Sequence, residues 1–269
     1  MSMRLWYQSM TPLEHLASYR EALQEHAERV CSPGVEVSVN GVSPGLYRNR
    51  TPADVLKYPY AKLVAQQEVI EICRKAEGDG FDAVILGSFS EPFLAEIRSV
   101  LDIPVVSMAE SALLVACSLA EQFALVTLAP PNVKRVRALV RRHGFEGRVA
   151  AVLPLTKPVD EAQLNAALTA PKTVADDFSA VAARAVEAGV DVVVPAEGVL
   201  NLIVHRSGIA TIGQATILDS VATALLYAEL LVNLRRRVGT GVGRRWAYAK
   251  PPAELLADLA KLRRGDAGA

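Results

Sequence analysis

Cysteine is scarce in this chain: there are three among 269 residues, scattered as Cys31, Cys73 and Cys117 with no CxxC pair. An odd, scattered set argues against a disulfide framework, and with no histidine at ligand spacing it argues equally against a structural metal site. Cys73 in VIEIC and Cys117 in LLVAC stand within apolar-periodic helices, where a thiol is a small core group rather than a nucleophile. Net charge is lacking too, since 29 basic residues balance 29 acidic ones, and nothing points to nucleic acid or an anionic membrane as partner. No apolar run is long enough to cross a bilayer, and the N-terminal MSMRLWYQSM lacks the hydrophobic segment of an export signal. The expectation is a cytoplasmic chain with no membrane partner. Apolar residues, by contrast, are plentiful: a 51% hydrophobic composition over this length fills a sizeable core and is enough for two lobes.

The most informative stretch is Asp82 to Pro92, DAVILGSFSEP. A short apolar run bounded by glycine and proline, lying between helical patterns, reads as a buried parallel strand. It stops at Gly87 and hands over to Ser88, Phe89 and Ser90, with Glu91-Pro92 expected to open the next helix. Ligands of open α/β sheets bind at the carboxyl ends of strands, and a helix start offers free N–H groups for an oxyanion. Ser88 is therefore a candidate catalytic residue, with Phe89 and Ser90 as candidate substrate-binding positions.

The stretch occurs twice. GFDAVILGS, residues 80–88, is echoed by GVDVVVPAE, residues 189–197, each after an alanine-rich helix and before another helical segment. Counted from either Asp82 or Asp191, the sixth residue on is Ser88 in one copy and Glu197 in the other. Two such units imply two lobes facing across a cleft, with Ser88 and Glu197 on opposite sides of one substrate.

A strand ending in a polar residue, repeated in both lobes, with DIPVVSMAESALLVAC after the first copy, resembles the aspartate/glutamate/hydantoin racemase superfamily. The resemblance extends to about Arg237. It implies two similar three-layer α/β lobes with parallel sheets, related by a pseudo-twofold axis, and an active site in the interlobe cleft. In that family each lobe contributes a strand-tip cysteine, and the two thiols act as paired acid and base without a cofactor. Here the cysteine positions carry Ser88 and Glu197. An alternative register anchored on Gly198 puts Ala196 at the second position, although the equal spacing from the two aspartates favours Glu197.

The rest of the chain fits such a frame. Residues 1–110 and 215–238 are assigned to the first lobe, 111–214 to the second, and 239–269 to a tail with a helix. The first strand, MRLWYQ, leads to Gln8, Ser9 and Thr11, which either bind a substrate carboxylate or amide or, for Ser9 and Thr11, cap the helix expected over 13–30. Residues 41–60 read as a long loop whose Tyr47, Arg48, Arg50, Tyr58 and Tyr60 either cover the cleft or pack on the surface. Glu110 begins an apolar helix, where it complements the helix dipole or, by the resemblance, faces the cleft. Thr127 closes another strand, and Gly198 follows Glu197. His143 and His205 are assigned to helix ends and His15 and His26 to exposed helix positions. A strand over 209–212 and a helix from Ala215 to about Arg237 follow. GTGVGRR trails a basic helix end rather than a strand, so a dinucleotide loop is discounted. The apolar stripe of the tail, with Trp246 and Tyr248, implies a homo-oligomer contact or a fold-back onto the first lobe.

Serine cannot replace a thiol as a base, whereas a partly buried glutamate can serve as one. With Glu197 as base and a hydroxyl at a strand-turn-helix tip, the favoured expectation is a hydrolase of a small amide, imide or cyclic ureide, needing no cofactor and no metal. Proton transfer on one face, by a racemase, isomerase or lyase, is the alternative. A non-catalytic protein that binds a small carboxylate or cyclic amide is the second.

Overall fold

The computed structural model describes residues 2–48, 50–157 and 159–264. Val- and Ile-rich runs too short for helices form the strands, and the longer amphipathic runs between them form the crossovers that parallel pairing requires. The first sheet takes β1 (Met3–Gln8), β2 (Val35–Asn40), β3 (Ala83–Leu86) and β4 (Val105–Ser107), in the order β2-β1-β3-β4 and parallel throughout. The second takes β5 (Phe123–Thr127), β6 (Val149–Pro154), β7 (Val192–Pro195), β8 (Thr211–Ile212) and β9 (Ala215–Ile217), in the order β6-β5-β7-β9-β8, with only the β8/β9 pair antiparallel. The architecture is a two-lobed α/β fold with parallel sheets. β1, β2 and β3 correspond to β5, β6 and β7, so each sheet has a switch point beside its first strand, where crevices open at the carboxyl ends.

The helices are α1 (Ala17–Val30), α2 (Pro52–Leu56), α3 (Pro59–Gly78), α4 (Leu94–Val100), α5 (Met108–Leu119), α6 (Pro130–Arg142), α7 (Glu161–Ala167), α8 (Lys172–Glu187), α9 (Gly198–Arg206), α10 (Ser220–Val238) and α11 (Ala253–Arg264). α10 packs against α5, α1, β3 and β4, and so carries the chain back from the second sheet to the first. One apolar core runs through both lobes, from Leu5 and Ile85 by way of Met108, Ala112 and Ala224 to Leu125 and Val194. A smaller core, with Val69, Cys73 and Ile97, fills the other face of the first sheet.

Four expectations are corrected. Glu91-Pro92 does not open a helix: Glu91 and Phe93 take φ of 40° and 66°, a left-handed turn that delays α4 to Leu94. Ala215 does not start a helix either, because Gly213 at φ 59° turns the chain into the β8/β9 hairpin and Asp219 caps α10, accepting a bond from the Ala222 N–H. The segment 41–60 is largely helical, with a 3-10 turn at Pro44–Tyr47, then α2 capped by Thr51, then the start of α3. Proline at each helix start fixes φ where no N–H partner is needed. Tyr47 is buried there and donates to the Met10 carbonyl at 2.8 Å, while Tyr58 and Tyr60 are exposed. Ahead of α1, the run 13–16 forms a 3-10 turn, Leu13–His15, rather than its first turn.

Candidate active site at the facing strand tips

The residues after β3 and β7 hold equivalent backbone positions. The Gly87 N–H donates to the Gln8 carbonyl on β1, and the Ala196 N–H donates to the Val126 carbonyl on β5. This pairs Gly87 with Ala196, and hence Ser88 with Glu197. The two tips also meet in space, since a Cβ added to Gly198 would lie 3.5 Å from the Gly87 carbonyl and 3.1 Å from the Tyr19 hydroxyl. Gly87 itself has no room for a side chain, as a Cβ there would be 2.3 Å from the Tyr7 ring. Glycine at both places lets the two backbones approach closely enough to form one site.

Glu197 is the N-terminal flank of α9 and remains partly exposed. One carboxylate oxygen accepts from the Thr127 hydroxyl at 2.9 Å and from the Asn132 amide at 2.8 Å. Burial pushes the carboxyl above its ordinary 4.5, and the Thr127 bond, the Arg135 charge and the Asn132 bond hold that rise back. A carboxylate oriented through one oxygen, with a raised affinity for protons, is suited to act as a general base. Tyr19, on α1, is buried next to it. Burial first, and the Glu197 charge second, keep the Tyr19 phenol protonated, so its hydroxyl is available as a hydrogen-bond donor.

Ser88 is partly exposed, and its hydroxyl shares a 2.9 Å bond with that of Ser90. No base activates it, because Ser90 is its only side-chain partner among the described residues. The Glu91 N–H is spent on the Ser88 carbonyl at 2.9 Å and α4 begins only at Leu94, so no helix start lies beside Ser88, while the Phe89 and Ser90 N–H groups have no backbone partner among the described residues.

The other candidates divide. Thr127, Ser90 and Gly198 join Ser88 and Glu197. Phe89 is a core residue. The Gln8 amide is turned inward, accepting from Trp6 Nε1 at 2.9 Å and donating to the Ser9 carbonyl at 2.8 Å. Ser9 accepts the Thr11 N–H at 3.1 Å, which stiffens the turn rather than capping a helix. The Glu110 carboxylate is paired with Arg98.

Three contributors escaped the sequence reading. Asn132 and Tyr19 lie on helices whose facing is not visible in a motif. Glu91 lies within the central stretch, where Glu-Pro reads as a helix opener. Its side chain is fully buried, accepting from Ser107 Oγ at 2.7 Å, with His143 Nε2 at 2.8 Å and Arg142 at 3.3 Å. His143 thus fastens the end of α6 to the Ser88 turn, a larger part than helix-dipole partner, and its other ring nitrogen is 3.8 Å from Glu110. His26 is not exposed but buried, with Nε2 2.9 Å from Asp219. Burial opposes ionisation of Asp219, yet the His26 contact, the nearby His205 and the Ala222 N–H together outweigh it and hold the carboxyl at about 2. The Asn201 amide donates to the same carboxylate at 2.7 Å, and His205 approaches it at 3.7 Å. Through them α9, which carries Glu197 at its head, is tied to α1 and α10.

Among the described residues no group of metal-ligating side chains is assembled, and no helix is long and apolar enough to cross a membrane. The chain is similar to hydantoin racemase of Pseudomonas sp. (strain NS671), 33% identical over 125 residues that cover 46% of this chain and 48% of the relative. It is also similar to hydantoin racemase of Paenarthrobacter aurescens, 29% identical over 49% of this chain and 53% of the relative. The matches thus span about half the length of these relatives. Among solved structures, allantoin racemase from Klebsiella pneumoniae superposes with a TM-score of 0.76 at 22% identity, covering 93% of this chain and 94% of that one. Allantoin racemase from Pseudomonas fluorescens gives 0.71 at 22% identity, covering 93% and 97%. These relatives are racemases, which overturns the expectation of a C–N hydrolase. The Asp/Glu/Hydantoin racemase family model matches residues 17–228, and the chain belongs to that family.

Proposed function

We propose that the chain is a cofactor-independent isomerase that moves a proton on the carbon beside a carbonyl of a small cyclic amide or carboxylate. Hydantoins substituted at the ring carbon, and related ureides such as allantoin, are the first substrate class, as the names of the relatives suggest. The observation that carries the reading is Glu197: a carboxylate with a raised proton affinity, oriented by Thr127 and Asn132 at the strand tip that answers Ser88. Glu197 takes the proton, and the electron pair passes to the carbonyl oxygen as an enolate. The hydroxyls of Ser88, Ser90 and Tyr19 supply donors for that oxygen, whose charge is greatest in the transition state.

Serine donates a hydrogen bond readily but accepts a proton poorly. The two faces are therefore unequal, and Glu197 returns most protons to the face it took them from. Exchange with solvent should outrun inversion. The test is incubation of single enantiomers of 5-substituted hydantoins, allantoin and amino acids in deuterated water, following mass and optical rotation together. Deuterium gained at the ring carbon ahead of any loss of rotation is the expected result. No incorporation into any of them, or a mass gain of one water, sinks the proposal.

A further inference from the structure

The GTGVGRR segment, discounted as a dinucleotide loop, closes a cavity on the far side of the first lobe. The cavity, of about 210 Å³, lies between β4, α10 and the start of the tail, and Val105, Leu231, Leu234 and Val242 form its apolar part. Its polar rim consists of Arg98, Asp102, Arg235, Tyr248 and the backbone of Thr240 to Gly243. The N–H groups of Gly241, Val242 and Gly243 have no partner among the described residues, and neither does the Arg235 guanidinium. Residues 239–243 lie outside helix, strand and turn, where unpaired backbone N–H groups are open to an anion's oxygens, and a free guanidinium pairs with a carboxylate in bidentate fashion.

The charge balance has the same sign. Asp102 is on the rim, but Arg244 at 3.1 Å and Lys250 both pair with it, while Glu110 pairs with Arg98. Four basic groups, Arg98, Arg235, Arg244 and Lys250, thus face two carboxylates, and the uncompensated charge is positive. Drug-sized ligands occupy roughly 300–1,000 Å³, so this cavity takes something smaller. We infer that it binds a small organic monocarboxylate, its apolar body against Leu231 and Val242 and its carboxylate between Arg235 and the N–H groups of Gly241 to Gly243. The site is separate from the facing strand tips and does not depend on the chemistry proposed for them.

Benzoate and its uncharged analogue benzamide are the probes, titrated into the full chain by calorimetry and by amide NMR. Saturable benzoate binding is expected, with shifts at Gly241 and Gly243, at least about tenfold weaker in Arg235→Gln and weaker still for benzamide. Arg235 is exposed and makes no contact the fold requires, so that variant should fold. Val242→Trp, which fills the cavity, should abolish binding. Equal binding of benzamide, unchanged affinity in Arg235→Gln, shifts confined to the Ser88 and Glu197 turns, or no saturable benzoate binding would each overturn the assignment.

Discussion

At the scale of the residue, Glu197 combines two demands that oppose each other. A base must be ionised to work, yet burial makes the ionised form costly. Because the folded chain holds this proton more tightly than the unfolded chain does, stability should fall as pH rises through the window between the ordinary value of 4.5 and the raised one, then level off. Glu197→Gln keeps an acceptor for Thr127 and Asn132 without the charge. It should therefore melt higher than the parent at pH 7 to 8 and match it near pH 4, while turnover drops by at least about a hundredfold. Calorimetric melting at both pH values, beside the deuterium-exchange assay, checks both halves. Full exchange activity in this variant would remove Glu197 from the mechanism. In the parent, the acid limb of the rate profile should track the raised carboxyl, and Thr127→Val, which removes a bond favouring ionisation, should move that limb to higher pH. Ser88→Ala tests the donor role: a loss on the order of 2–4 kcal/mol in barrier is expected for an oxyanion donor, with no covalent adduct on the intact chain.

At the scale of the element, the turn after β3 depends on its neighbours more than on itself. Glu91 is a buried carboxylate held at positive φ, and its partners come from β4 and from the end of α6. Removing one member of a buried charged pair typically costs about 3–5 kcal/mol, so Glu91→Ala should destabilise the chain on that scale and raise hydrogen exchange at the bonded amides of positions 87 and 91. Glu91→Gln, which keeps an acceptor, should do less. Destabilisation without faster exchange at that turn would show that the pair does not hold it.

The same turn marks how far the sequence was legible. Strands, crossovers and the double DAVILGS/DVVVPAE pattern were readable because burial imposes local periodicity on each of them. The Ser88 and Glu197 correspondence was readable because the two copies share one backbone hydrogen-bond position. Glu91 was not, since Glu followed by Pro suits a helix start, and only the distant Ser107 and His143 hold it in the left-handed turn instead. Hydrolysis was inferred from a helix start that the positive φ at Glu91 and Phe93 removes. His26 looked exposed because its partner, Asp219, is distant in sequence and only the fold brings the two together.

For the whole molecule, the open question is what the tail does. The sequence allowed a contact between copies or a fold-back onto the first lobe. In the structure Arg244 donates to the Arg98 and Leu101 carbonyls, Tyr248 accepts from Arg98 at 3.3 Å, and Lys250 pairs with Asp102. These bonds join the stretch after α10 to the end of α4 and the start of β4 within one chain, while Leu255 and Leu259 on α11 stay about half exposed. The two parts should therefore separate on truncation. Ending the chain after Ala249 removes α11, leaves Arg244 and Tyr248 in place, and should change the melting temperature little. Ending it after Gly243 also strips the Arg244 donors from the Arg98 and Leu101 carbonyls and the Tyr248 hydroxyl from Arg98, and should lower the melting temperature by several degrees, on the scale of about 1 kcal/mol or more for lost charged hydrogen bonds. Light scattering on the same pair settles assembly: we propose a homo-oligomer whose contact includes α11, so mass should fall on the first truncation. An unchanged mass after both cuts excludes the tail from any interface, and a monomeric full-length chain ends the oligomer proposal itself.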